Sequence, residues 1–180
     1  MDLNEAIIKL RVKDNEAFEF IYFQTSPSVY AIIKNIVKDH NVTEDLMQNT
    51  YIKMIKNIYS YDFKYNFKSW LLTIARNLAI DYYRKFKRET LVDVSESEYL
   101  FPGTKSTADA EYNANFFLSL LDDDEREVVI LYAMEGFKHK EIAKILDKPI
   151  GTVTWLYNKA LKKMQENSEG VKLSWKKKLF

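Results

Sequence analysis

The run NFKSWLLTIARNLAIDYYRKFKR, residues 66–88, holds neither glycine nor proline, and its apolar positions recur at helical intervals. Leu71, Ile74, Ala75, Leu78 and Tyr82 fall on one stripe, which predicts a helix that packs that face inward. Trp70, Arg76, Asn77, Tyr83, Arg84, Lys87 and Arg88 are left around the remainder. Cations for phosphates beside rings for bases are what a single-stranded nucleic-acid platform needs. An ordinary amphipathic helix with a solvated basic end explains the pattern equally well, because cations in a last turn also suit the helix dipole. With four glycines and three prolines in 180 residues, against 14% aromatic residues, the chain as a whole is expected to be helical with few tight turns.

Composition removes several function classes. The 29% charged and 47% hydrophobic side chains describe a globular chain of one ordinary domain or two small ones. The absence of cysteine excludes disulfides, thiolate zinc sites and cysteine nucleophiles. His40 and His139 stand far apart and read as surface residues near helix ends, so no catalytic centre, metal site or cofactor is expected. No apolar run approaches the roughly twenty residues that span a bilayer, and MDLNEAIIKLRVKD shows no signal-peptide pattern. A cytoplasmic protein without membrane insertion is the expectation. The formal charge of +1 is unevenly distributed, and the distribution matters more than the sum.

Taken in order, Asp14 is a candidate cap for a helix bearing Ala17, Phe18, Ile21 and Tyr22. Thr25, Ser26 and Pro27 should interrupt it, with a second helix starting near Pro27 and carrying Val29, Tyr30, Ile33, Ile36 and Val37 inward. Thr43 then opens TEDLMQNTYIKMIKNIYSY, whose apolar face is Leu46, Met47, Tyr51, Met54, Ile55 and Ile58. Asp45, Gln48, Asn49, Lys53 and Lys56 stay outside, and the residues by themselves favour plain solvation of that face. The connector 60–68, SYDFKYNFK, concentrates rings among lysines, so Phe63, Tyr65 and Phe67 either form a local cluster or stack on a ligand.

After Arg88 the composition turns acidic and aperiodic around Pro102 and Gly103, as a linker does. A second domain follows, in which Asp122 and Glu125 have capping-box spacing and Gly136 should end a helix bearing Val128, Val129, Leu131 and Tyr132. The segment KHKEIAKILDKPIGTVTWLYNKALKKM predicts two short helices meeting at Asp147, Lys148 and Pro149, with Ile142, Ala143 and Leu146 facing Val153, Tyr157, Ala160 and Met164. That is a helix-turn-helix, and Asp147 is a residue that tolerates the left-handed turn conformation. Its outer face of Thr152, Thr154, Trp155, Asn158, Lys159, Lys162 and Lys163 suits a major groove. The concentration of lysines across 138–178 favours DNA over a mere packing unit.

These stretches, in this order and across this linker, resemble the extracytoplasmic-function subfamily of bacterial RNA polymerase sigma factors. TEDLMQNTYIKMIKNI is similar to the first region 2 signature of that family, NFKSWLLTIARNLAIDYYRK to its second, and LDDDEREVVILYAMEGFKHKEIAKILDKPIGTVTW to region 4. The resemblance implies an all-α chain of two small domains, a region 2 helical bundle and a region 4 helix-turn-helix joined by a flexible linker. Its implied divisions are 1–88, an acidic linker at 89–112, region 4 at 113–169, and a basic tail at 170–180. It further implies that Asp45, Gln48, Asn49 and Lys53 meet core RNA polymerase. The minus-10 DNA would fall to Phe63, Tyr65, Phe67, Trp70, Arg76, Asn77, Arg84, Lys87 and Arg88, and the minus-35 DNA to Thr152, Thr154, Trp155, Asn158, Lys159, Lys162 and Lys163. Partners are then core polymerase and promoter DNA, with an anti-sigma factor as a further candidate. Asp81 shares the minus-10 helix, where a carboxylate beside phosphates is unfavourable, so it is expected to order an arginine or the packing.

This chain departs from the family where Thr154 replaces a basic residue and Leu156 an arginine. Two fewer cations should weaken phosphate binding and its salt dependence there. The competing function is a stand-alone helix-turn-helix regulator, which leaves the 66–88 helix without a role.

Overall fold

The computed structural model describes residues 1–89 and 116–167, which fall in two compact units, Met1–Ser97 and Glu98–Phe180. Among these residues there are helices and turns and no strand, as an all-α chain requires. Residues 90–112 of the expected linker and the 170–180 tail lie outside the described residues.

The first unit opens with a helix that the sequence reading did not anticipate, α1 (Leu3–Arg11), capped by the Asp2 carboxylate accepting from the Glu5 amide at 2.8 Å. It buries Ala6, Ile7 and Leu10. Next comes α2 (Asn15–Val37), capped by Asp14 as expected, but continuous where two helices were predicted. Pro27 lies inside it on the exposed side. A mid-helix proline costs about 3 kcal/mol and orphans one carbonyl. Here that carbonyl belongs to Phe23, itself exposed, where water can serve it. The opposite side is held by packing, since α2 lies against α1 and two later helices and buries Ile21, Thr25, Ser28, Val29, Ile32 and Ile33. Thr25 donates to the Ile21 carbonyl at 2.7 Å, leaving its oxygen to accept from the Tyr51 hydroxyl at 2.8 Å. Tertiary burial of both halves thus overrides the local stop signal.

The third helix, α3 (His40–Asn57), begins ahead of the expected Thr43, because Asp39 is the cap and accepts from the Val42 amide at 2.9 Å. Thr43 is buried and donates back to the Asp39 carbonyl. A 3-10 turn (Ile58–Ser60) leads into the connector, and α4 (Phe67–Glu89) follows, with Asn66 accepting from the Ser69 amide at 3.0 Å. The buried face of α4 is Phe67, Leu71, Leu72, Ala75 and Ala79, whereas Ile74, Leu78 and Tyr82 of the expected stripe are half-buried. Its core face is therefore rotated by one position toward Leu72 and Ala79.

In the second unit, α5 (Asp123–Val129) continues into a π turn (Ile130–Met134) that ends at Gly136, whose φ of 73° requires a residue without a Cβ penalty. Glu125 Oε2 accepts from the Asp122 amide at 3.0 Å, the expected capping contact. Arg126, buried, donates to the carbonyls of Leu118 and Leu121 at 2.8 and 2.6 Å and so ties the preceding turn to α5. Helices α6 (His139–Leu146) and α7 (Ile150–Glu166) form the helix-turn-helix, with Asp147 left-handed at φ 50° and the Lys148 amide donating to the Ala143 carbonyl. Ile142 and Leu146 meet Val153, Tyr157, Ala160 and Met164 in the core, joined by Ile145 and Leu156.

Candidate functional site

On α3, Asp45, Gln48, Asn49 and Lys53 are all exposed and share one face at helical spacing, with Lys56 a turn further on. The buried side of the same helix is Leu46, Met47, Thr50, Tyr51 and Met54. Ile52 and Ile55 are exposed, so the outer surface is more apolar than the sequence pattern suggested.

The connector divides its rings between the two alternatives. Tyr61 is buried at the centre of an aromatic cluster, 5.3 Å from each of Phe63, Phe67 and Trp70. Phe67 is 3% exposed and is a packing partner in the interior, while Trp70 is half-buried beside it at 5.6 Å. Phe63 and Tyr65 stay 43% and 60% exposed. The loop is held by local bonds: the Asp62 carboxylate accepts from the Lys64 amide at 2.9 Å, and the Tyr61 hydroxyl donates to the Tyr65 carbonyl at 2.5 Å. Burial pushes the Tyr61 phenol up, so it stays a hydrogen-bond donor. Along α4, Asn77, Asp81 and Arg84 are exposed and Arg76 is half-buried. The side chains of Lys87 and Arg88 lie outside the described residues.

The outer face of α7 is less free than its sequence suggests. Thr152, Asn158 and Lys162 are exposed, and Trp155 is 59% exposed with the Lys159 ammonium 5.2 Å from its ring centre. Lys159 and Lys163, however, turn toward the start of α5. Lys159 pairs with Glu125 Oε1 at 2.7 Å, and Lys163 with Glu125 Oε2 at 2.7 Å and Asp122 at 3.0 Å. Glu125 is fully buried. Burial pushes its carboxyl up, yet the two ammoniums against it outweigh that and hold it below the usual glutamate value. The carboxylate raises both ammoniums in turn.

Thr154 is half-buried, donating to the Ile150 carbonyl at 3.0 Å and sharing a 3.1 Å hydrogen bond with His139 Nδ1. His139, expected at the surface, instead packs between Tyr132 and Tyr157 at 5.0 and 5.3 Å. Leu156 is in the core, so an apolar residue there fills volume and removes no cation from the exposed side of α7. Sequence reasoning missed Arg11 as well, because its partners at Ile58 and Tyr61 are far away in the chain.

Residues 21–89 match the Sigma-70 region 2 model and residues 117–164 the Sigma-70 region 4 model. The chain is 29% identical over 167 residues to the ECF RNA polymerase sigma factor SigX of Bacillus subtilis, covering 86% of this chain and 84% of that protein. It is 32% identical over 140 residues to the ECF RNA polymerase sigma factor EcfG of Rhodopseudomonas palustris, covering 77% of each. Among solved structures, the sigma factor RpoE in complex with the anti-sigma factor NepR from Bartonella quintana is similar with a TM-score of 0.70 and 29% identity, covering 83% of this chain and 94% of that one. With region 2 on its α2 to α4 bundle and region 4 on its helix-turn-helix, the chain belongs to the extracytoplasmic-function subfamily of RNA polymerase sigma factors, which bind core RNA polymerase and direct it to promoters.

Proposed function

We propose that the division of labour runs along the surfaces just described. The α3 face of Asp45, Gln48, Asn49 and Lys53 meets core RNA polymerase. Phe63 and Tyr65, with Trp70 at the edge of their cluster, take an unpaired base of the minus-10 element, while Arg76, Arg84, Lys87 and Arg88 track its backbone beside Asn77. Phe67 supports this platform from below. In region 4, Thr152, Trp155 and Asn158 read the minus-35 groove and Lys162 holds a phosphate, while Lys159 and Lys163 brace the helix against α5. The active units are 1–88 and 113–169, joined by an acidic tether. The protein works in the cytoplasm without catalysis of its own, and an anti-sigma factor, the kind of partner named for the similar RpoE, is its regulator.

The observation that carries this reading is the pair of exposed rings, Phe63 and Tyr65, on a hydrogen-bonded connector that leads into α4. Large rings with much of their surface in water at the start of a cation-bearing helix have a physical use when a base replaces that water, and one stacked base returns about 1 to 3 kcal/mol. Extruding the base costs a few kcal/mol, so one or two rings offset much of it. The test is permanganate reactivity of bubble thymines in holoenzyme complexes on duplex and pre-melted promoters. Alanine at Phe63 and Tyr65 should spare closed complexes, lower reactivity on duplex DNA, and lose far less on the pre-melted template. Unchanged reactivity on duplex DNA would overturn the stacking role.

A further inference from the structure

We propose that Arg11, at the end of α1, is a positioning residue for promoter melting: it holds the connector between α3 and α4 in the form that presents Phe63 and Tyr65. The inference rests on the stacking role proposed for those two rings. Arg11 Nε donates to the Ile58 carbonyl at 3.3 Å and Nη2 to the Tyr61 carbonyl at 2.8 Å. Its guanidinium carbon also lies 5.0 Å from the centre of the Phe63 ring. The Tyr59 hydroxyl donates in return to the Arg11 carbonyl. One side chain thus ties the 3-10 turn, the buried centre of the aromatic cluster and an exposed ring to a helix that is remote in sequence.

Arginine suits this task for two reasons. Its fixed fork satisfies two carbonyls at once, whereas a lysine ammonium is a point donor on a flexible stem. Its charge over the Phe63 face restrains the ring without burying it, since a cation is drawn to the π cloud at about this distance. Without the Arg11 guanidinium, the connector loses the two bonds that tie its Ile58 and Tyr61 carbonyls to α1, while the short-range bonds through Asp62 and the Tyr61 hydroxyl and the bond from Tyr59 to the Arg11 carbonyl remain. The rings would then have to be ordered at the moment of binding, and that ordering weakens the stacking gain.

Two measurements on the full chain separate this role from the stacking role. Amide exchange of Phe63, Lys64 and Tyr65 is compared in wild type, Arg11→Met and Arg11→Lys, with Ile32 and Ile33 of α2 reporting that the fold is intact. Permanganate reactivity is then measured in holoenzyme with the same variants and with the Phe63→Ala, Tyr65→Ala double variant. Arg11→Met should speed connector exchange at least about tenfold, since either of the two charge-assisted hydrogen bonds it loses is worth about that much, and lower duplex melting without weakening core binding. Arg11→Lys should fall between, because it keeps the charge and loses the fork. Unchanged connector exchange overturns the clamp. Faster exchange with wild-type melting, while the ring variant melts poorly, overturns its consequence for melting. Wild-type melting by the ring variant instead removes the stacking role, and exchange alone then decides the clamp.

Discussion

Glu125 is a buried carboxylate whose neighbours could not be read from its position at the start of a helix. Capping-box spacing announced the bond to the Asp122 amide, but nothing local announced that Lys159 and Lys163 close over the same carboxyl. The sign of the pH effect follows from both sides of the pair. Glu125 lies below its ordinary 4.5, so its contribution is present above that value and is lost as pH falls through the lower folded-state value. Lys159 and Lys163 lie above their ordinary 10.5, so theirs is full below that value and is lost as pH rises through the raised ones. Glu125→Gln keeps a carbonyl for the Asp122 amide and removes the charge. It should lower stability by about 2 kcal/mol at pH 7, and thermal unfolding followed by circular dichroism should show the gap closing below pH 4.5. A gap independent of pH would mean that the lysines do not pair with this carboxyl. The same geometry separates the lysines of α7. Lys162→Gln should reduce the salt slope of minus-35 duplex binding by about 0.9, while Lys159→Gln and Lys163→Gln should leave the slope nearly unchanged and lower the unfolding temperature. Equal slope losses at all three, in binding titrations across salt, would return Lys159 and Lys163 to the phosphates. Leu156 shows why residue roles were only partly legible: the resemblance sets it where the family carries an arginine, and the helix here turns it into the core.

Helices were legible where periodicity was long, and their ends were legible where a cap stood alone. Asp14, Gly136 and the Asp147 turn all act as read. Pro27 does not, because local propensity carries no information about the three helices that pack around α2. Pro27→Ala should therefore stabilise the chain by about 1 to 3 kcal/mol by restoring an amide for the Phe23 carbonyl, seen as a higher unfolding temperature. A loss of stability would show that the proline shapes α2 in a way its neighbours need. Thr43 is a plausible cap by sequence because threonine, serine and aspartate share that preference. The real cap, Asp39, lies closer to the preceding helix than the apolar pattern begins. The connector between α3 and α4 could not be resolved in advance, since its rings alternate between interior and surface under the control of Arg11 and Tyr61.

For the chain as a whole, the order of its motifs carried more information than any one of them. Two helical units, region 2 before region 4, follow from that order, and the match over residues 21–89 and 117–164 agrees with it. The placement of partners on those units is a separate matter. Asp45→Lys should weaken association with core polymerase at least tenfold while leaving the circular dichroism spectrum and unfolding temperature unchanged, because Asp45 is exposed and packs against nothing in the core. Wild-type affinity in that variant would move the polymerase surface away from α3. A sigma factor and a stand-alone regulator share a helix-turn-helix, and they part on whether duplex binding becomes initiation. Run-off transcription from fragmented genomic DNA with core RNA polymerase, with and without the full chain, separates them directly. A sigma factor adds discrete transcripts that core enzyme alone does not make, and loses them when Phe63 and Tyr65 are both alanine unless the template is pre-melted. Binding of the chain to duplex fragments with no new transcript would contradict initiation by this protein.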